Sequence, residues 1–351
     1  MSEPVSNPSA GSRLNAKFDN MLAALPRTSG NIGGLFLLLV LLVALFAFLL
    51  PGAFLHVSTF QAMMFQLPEL GLLSLAMVVP LISGGINLAI IATANQAALL
   101  MAWILTATMP MEATGANLVF WLTGALVAGL VLCVLIGLVT GMLIAMLEIH
   151  PILVTLGTMT LINGFSIYFT RGRTLTGFPN ALIAVSNDTA FGVPISFFLF
   201  VLVAVAVDTL LRRTPLGVRI HMMGSNLKAT RFSGVDTARV QIWVYVLSSV
   251  LCWIAAVLMM ARFNAAGADI AQSYLLITIL AAVLGGIDPY GGFGRIAGLF
   301  LALCILQAIS SGFNLLGLSP HLTLAFWGVI LLGVMGVKRI VLRQQNGPPS
   351  G

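Results

Sequence analysis

LAMVVPLISGGIN, residues 75–87, is an apolar run halted by two glycines and an asparagine. Glycine weakens a helix interior by about 1 kcal/mol relative to alanine and readily takes the left-handed conformation that ends a helix. Apolar sequence resumes at once in LAIIATANQAALLMAW (88–103), so the halt lies in hydrophobic surroundings. Backbone that leaves a helix inside a membrane must be buried in protein or line a cavity. LITILAAVLGGID (276–288) has the same form: an apolar run, then Gly-Gly-Ile, then Asp288 in place of Asn87. Glycine-interrupted segments at matching places in two halves point to a transporter's solute pathway. In a chain with 35 glycines such a tripeptide also recurs by chance, so the match gains weight only beside other features.

The composition sets the class. Of 351 residues 59% are hydrophobic and only 7% charged, against about 25% charged in a soluble domain. Runs of about 20 apolar residues recur along the chain and read as membrane helices. Ten spans are expected, near 34–54, 60–82, 86–106, 118–147, 152–170, 195–211, 240–261, 273–286, 294–316 and 322–337. The fold class is an all-α polytopic membrane protein. Its expected parts are a tail (1–32), a membrane domain (33–339) with a polar loop (212–239), and a second tail (340–351). The first tail lacks the short apolar core of a signal peptide.

Charge sets the orientation. With the N-terminus inside, thirteen of the sixteen Lys and Arg residues fall on the inner side. Only Arg171, Arg173 and Arg262 fall outside, a strong positive-inside bias. Both termini are then cytoplasmic, and so is the polar loop. The net charge of +6 reflects this topology rather than nucleic-acid binding.

The chemistry is sparse. Cys133, Cys252 and Cys304 lie in apolar runs without metal-ligand spacing. His56, His150, His221 and His321 lie near span ends, and neither a catalytic set nor a metal site is expected. A G-x-x-x-x-G-K-[ST] loop for ATP phosphates is missing, so ATP-driven work needs an ATPase on another chain. Glu69, beside Pro68, reads as a cap of the broken second span or a partner of a neighbouring one; Asp208 reads as interfacial. So few intramembrane charges argue against a proton relay. Uncharged polar residues are commoner, and a pathway for a neutral polyhydroxylated solute needs such groups. Interhelical hydrogen bonding is the other use, at about 0.6–2 kcal/mol per pair. Asn95 and Gln96 are adjacent amides and costly unless satisfied. Gly137 with Gly141, and Gly294 with Gly298, permit close helix approach without saying against what.

GSNLKATRFSGVD (224–236) is a polar island. Residues 227–233 read as a short helix, with Asn226 or Ser225 as its cap and Gly234 as its left-handed end. Ala229 and Ser233, four apart, make a narrow small face. Such a stub suits docking into a groove on a partner; a loop lying on anionic lipid is the alternative.

TPLGVRIHMMGSNLKATRFSGV (214–235) resembles the cytoplasmic loop of permease subunits of ribose-type sugar ABC importers, through Thr214, Gly217, Gly224, Asn226, Ala229, Gly234 and Val235. SGGINLA (83–89), HPILVTLGTMTLINGF (150–165), the Ala281–Gly286 run with GGFG (291–294), and SGFNLLGLS (311–319) resemble other segments of that family, in order along nearly the whole chain. The resemblance implies a type II-like permease with inverted repeats, carrying a monosaccharide or small polyol across the bacterial inner membrane. Implied partners are a cytoplasmic ABC ATPase, a periplasmic sugar-binding protein and a second permease subunit, in a homodimer or heterodimer; no cofactor is implied.

On that reading Gly224, Asn226, Ala229, Ser233 and Gly234 couple to the ATPase. Asn87, Asn95, Gln96, Thr158, Asn163 and Tyr274 are the candidate pathway residues. The chain departs from the family pattern where Asn87, Leu275 and Ile277 replace acids, which puts any gating contact of those acids in doubt. A nucleoside or branched-chain amino acid permease is the alternative substrate reading. An ion-coupled secondary carrier is the alternative class.

Overall fold

The structure, a computed structural model, describes residues 32–110 and 114–345. The expected tail at 1–32 lies almost wholly outside the described residues, as do residues 346–351 of the second. Among the described residues there are thirteen α-helices. They are α1 (Ile32–Leu49), α2 (Val57–Ile82), α3 (Ile90–Trp103), α4 (Ala116–Met146), α5 (Pro151–Thr170), α6 (Asn180–Asn187) and α7 (Ile195–Arg213). After these come α8 (Pro215–Ser225), α9 (Leu227–Phe232), α10 (Thr237–Phe263), α11 (Tyr274–Leu284), α12 (Ile296–Leu315) and α13 (Pro320–Gln345). A π-helical turn, Ile104–Thr108, prolongs α3. The last helix runs past 339, where the sequence suggested a tail.

Eight of these segments are long and apolar enough to cross a membrane: α1, α2, α3 with its π turn, α4, α5, α7, α10 and α12. Two shorter apolar stretches, Tyr274–Leu284 and His321–Val334, fall where the eighth and tenth spans are expected. With 11 residues, α11 rises only about 16 Å, about half of a 30 Å hydrocarbon core. The rest of that passage is non-helical. Its strand β4 (Ala265–Ala266) pairs antiparallel with β1 (Leu175–Thr176). Strands β2 (Thr189–Ala190) and β3 (Val193–Pro194) form a second small hairpin.

Helices α2 and α10 make the centre and are buried over most of their length, whereas α1 and α5 are largely exposed. The exposed side chains of α1, such as Phe36, Leu41 and Phe48, are apolar. Lipid tails are as apolar as leucine, so such a face costs nothing in a bilayer. Helix α4 packs closely along α10. A Cβ on Gly137 would stand 2.8 Å from Tyr245 O, and one on Gly141 2.9 Å from Ile242 Cα. The small-residue spacing therefore serves packing within this chain. Gly298 does the same for α12, where a Cβ would overlap Gly285 O.

The segment 171–194 folds back on the end of α10. Phe178 N–H donates to Asn264 Oδ1 at 3.0 Å, and Asn187 Nδ2 donates to Ala261 O at 3.2 Å. The opposite end of the bundle carries the basic 212–239 segment. It is more ordered than the loop expected there. Thr214 caps α8 by accepting from Gly217 N–H at 3.2 Å, and Pro215 takes the first helical position, where its missing N–H costs nothing.

Candidate functional site

The polar island forms the expected stub. Asn226 Oδ1 accepts from Ala229 N–H at 3.0 Å and caps α9, a contact worth about 1 kcal/mol. Gly234 follows with φ +80°. Only Thr230 of α9 is buried, with Phe232 91% and Leu227 50% exposed. A polar end of the bundle thus presents bare apolar side chains on a capped stub. Ala229 and Ser233 border a cleft of about 640 Å³, shared with Met222, Ser225, Gly292 and Phe293. The small face therefore opens onto the turn after α11. Arg231 reaches Glu148 at 3.3 Å, but both side chains are more than 70% exposed, so this ion pair adds at most about 1 kcal/mol.

Above the stub lie the two broken helices. At the end of α2, Gly84 N–H donates to Leu81 O (3.0 Å) and Gly85 N–H to Pro80 O (2.9 Å). At the end of α11, Gly286 N–H donates to Val283 O (3.1 Å) and Ile287 N–H to Ala282 O (3.0 Å). Both are Schellman endings with a left-handed glycine, Gly84 at φ +86° and Gly286 at φ +83°. The two turns are thus of one kind, with the left-handed residue one place later in the second Gly-Gly-Ile.

Several of the polar residues expected along a pathway hold these breaks together. Asn87 is buried; its Nδ2 donates to Ser248 Oγ at 2.9 Å and its Oδ1 accepts from Ala89 N–H at 3.0 Å. Asn95, also buried, donates through Nδ2 to Ala268 O (2.8 Å) and Ile270 O (2.9 Å). It satisfies carbonyls that the non-helical stretch before α11 leaves free, which answers the cost of an amide there. Gln96 accepts from Ser166 on α5. Thr158 donates to Val154 O at 2.9 Å and lies 3.5 Å from Thr140 of α4. Asn163 is partly exposed on α5, beside Gly164, whose added Cβ would meet nothing within 4 Å.

Tyr274 is drawn elsewhere. Its hydroxyl donates to Glu69 Oε1 at 2.8 Å, and the same oxygen pairs with Arg262 Nη1. Glu69 therefore bonds to two other elements, α10 and α11. Its exposure is 1% and that of Arg262 is 21%, so removing one partner would cost about 3–5 kcal/mol. The family's acids are missing at Leu275 and Ile277, and the acid near this helix start comes from α2 instead.

Sequence reasoning missed α8, although Thr214-Pro215 is a start signal. It also missed the exposed aromatics Phe232, Tyr290 and Phe293 at the basic end. Their exposure is a tertiary fact with no sequence signal beyond polar neighbours.

Residues 59–335 match the family described as branched-chain amino acid transport system / permease component. Similar proteins include the autoinducer 2 import system permease protein LsrD of Yersinia pseudotuberculosis serotype O:3 (strain YPIII). It is 30% identical over 281 residues, covering 78% of this chain and 81% of that one. The protein of the same name from Yersinia enterocolitica serotype O:8 / biotype 1B (strain NCTC 13174 / 8081) is 28% identical, over 78% of this chain and 82% of its own. No solved structure gives a significant match. With a span of apolar helices, no phosphate-binding loop and a family match over most of its length, the chain belongs to this permease family. It is the multi-pass membrane component of a bacterial ABC import system, in which a separate subunit hydrolyses ATP.

Proposed function

We propose that the protein carries a neutral sugar-like solute inward, delivered by a periplasmic binding protein, and that α9 is its coupling helix to a cytoplasmic ATPase. The carrying observation is α9 itself: a capped, almost wholly exposed stub with a small face and two bare apolar side chains. The basic end is the cytoplasmic one, with both termini on that side. The protein works in the inner membrane as one of a pair of permease subunits.

The pathway runs along the open face of α5 between the two subunits. Thr158 and Asn163 on α5, with Gln96 next to it, supply uncharged donors and acceptors. Asn87, Asn95 and Tyr274 serve as framework, because their polar groups already hold the breaks and Glu69. The similar permeases are named for autoinducer 2 import, and an uncharged lining here suits a neutral solute. The family description favours a second reading, a branched-chain amino acid. A zwitterion asks for charged groups or helix ends at its carboxylate and amine, and Gln96, Thr158 and Asn163 are uncharged.

Ala229→Trp tests the coupling reading by filling the narrow face. It is expected to abolish solute uptake and binding-protein-stimulated ATP hydrolysis while the chain still inserts and pairs. Stimulated hydrolysis at the parent rate in Ala229→Trp would sink the assignment. Uptake that survives without the ATPase and collapses with a protonophore would favour a secondary carrier.

A further inference from the structure

Three segments far apart in sequence meet at the basic end largely through glycines. Gly224 lies in the last turn of α8, two residues before the cap of α9. A Cβ there would overlap both Ile82 O, the last carbonyl of α2, and Gly292 N in the turn after α11. Gly292 N–H itself donates to Ile82 O at 2.8 Å. A Cβ on Gly291 would stand 2.7 Å from Gly84 Cα and 3.0 Å from Gly224 Cα. One on Gly292 would overlap Ser225 Oγ and stand 2.9 Å from Ser225 Cα. Backbone therefore rests on backbone around Gly224 and Gly291, and the one side chain at the junction is the short Ser225 hydroxyl beside Gly292, which leaves little room to absorb a displacement. Close-packed atoms transmit strain.

The other supports of α9 are slight. It buries only Thr230 and packs against α8 and α10. Its ion pair to Glu148 is exposed at both ends.

We propose that Gly224 is a positioning residue that passes the stroke of α9 to both broken helices at once, so that the turns at 83–85 and 290–292 move as one body with it. This rests on the reading of α9 as the coupling helix. It adds where the motion enters the membrane fold. Both breaks then answer one input, although the signal comes from a single loop.

The test uses the permease assembled with its ATPase in liposomes. Single cysteines are introduced as Ser83→Cys or Tyr290→Cys, and maleimide labelling is timed with and without a non-hydrolysable ATP analogue. In the parent chain the analogue should change both labelling rates, by about fivefold or more if coupling is of ordinary size. Adding Gly224→Ala should remove both changes while the ATPase still co-purifies. Changes that persist in Gly224→Ala, or a parent response at only one site, overturn the proposal. A parent response at neither site overturns the coupling reading beneath it.

A second measurement needs no substitution at Gly224. Spin labels at Lys228→Cys and Tyr290→Cys should keep one separation whether or not the analogue is bound. A separation that shifts with the analogue shows that α9 and the turn move independently and overturns the link.

Discussion

The two glycine breaks share a signature and differ in what holds them. The turn at 83–89 is fastened from outside. Asn87 reaches Ser248 on α10, Ser248 Oγ donates to Ala76 O at 2.7 Å, and Thr155 of α5 donates to Ile86 O at 3.2 Å. The turn at 285–295 is tied mostly across itself, with Gly292 N–H to Ile82 O (2.8 Å) as its bond to α2. Asp288 N–H donates to Phe293 O (2.9 Å), Gly291 N–H to Asp288 O (3.0 Å) and Tyr290 N–H to Asp288 Oδ1 (3.1 Å). The first is a buried fixture; the second projects Tyr290 and Phe293 outward. The difference explains why matching positions carry an amide and an acid. Asn87 must donate as well as accept, and is buried. Asp288 side-chain oxygen only accepts, and is partly exposed. Two turns of one kind are thus held differently, one buried and one open.

Asn87→Asp strikes this contrast hardest. Ser248 has one hydroxyl proton and commits it to Ala76 O, so it can only accept from residue 87. An aspartate offers no proton, and two acceptors would face each other around a buried charge. The expected loss is about 3 kcal/mol or more, since unsatisfied buried groups cost 1–3 and charged ones more. Thermal melting of the detergent-solubilised protein should drop clearly. A melting curve like the parent's would mean that the first turn is not fastened through this bond.

Thr155→Val loosens the same turn more gently. The hydroxyl is buried and near three carbonyls, Ile86 O at 3.2 Å, Pro151 O at 2.9 Å and Ile152 O at 3.4 Å. Its single proton is therefore shared between the neighbouring element and its own helix. Valine keeps the shape and loses that share, a cost of about 0.5–1 kcal/mol. A small fall in melting temperature is expected, below that of Asn87→Asp. An equal or larger fall would move the main anchor of the turn from α10 to α5.

Much of this was legible in the residues. Hydropathy located the membrane segments because lipid leaves a chain few options. The caps of α9 were legible because Asn226 and Gly234 act on their own neighbours. The uses of Asn95 and Tyr274 were not, since their partners lie far away in sequence: Ala268 and Ile270 for one, Glu69 for the other. A polar residue in a span announces that it needs a partner without naming it. Solute and broken backbone make the same demand, and only the fold separates Asn87 and Asn95 from Asn163. The short α11 was suggested by its sequence length, whereas the strand β4 that leads into it was not, because two alanines carry no pairing signal.

Asp288→Asn is the mildest change and completes the exchange of side chains between the two turns. The asparagine oxygen can accept from Tyr290 N–H as Asp288 Oδ1 does, and the two backbone bonds across the turn do not involve the side chain. The site is partly exposed, so the added amide protons can reach water. The stability change should stay within about 0.5 kcal/mol, as for other substitutions away from buried networks, with melting and uptake both near the parent's. The acid and the amide would then be interchangeable in one direction only, which is what a buried donor on one side and an exposed acceptor on the other require. If Asp288→Asn instead left melting intact but abolished uptake, the carboxylate would have a contact beyond its own turn, and the exposed side of the second break would serve more than the turn's own hydrogen bonds.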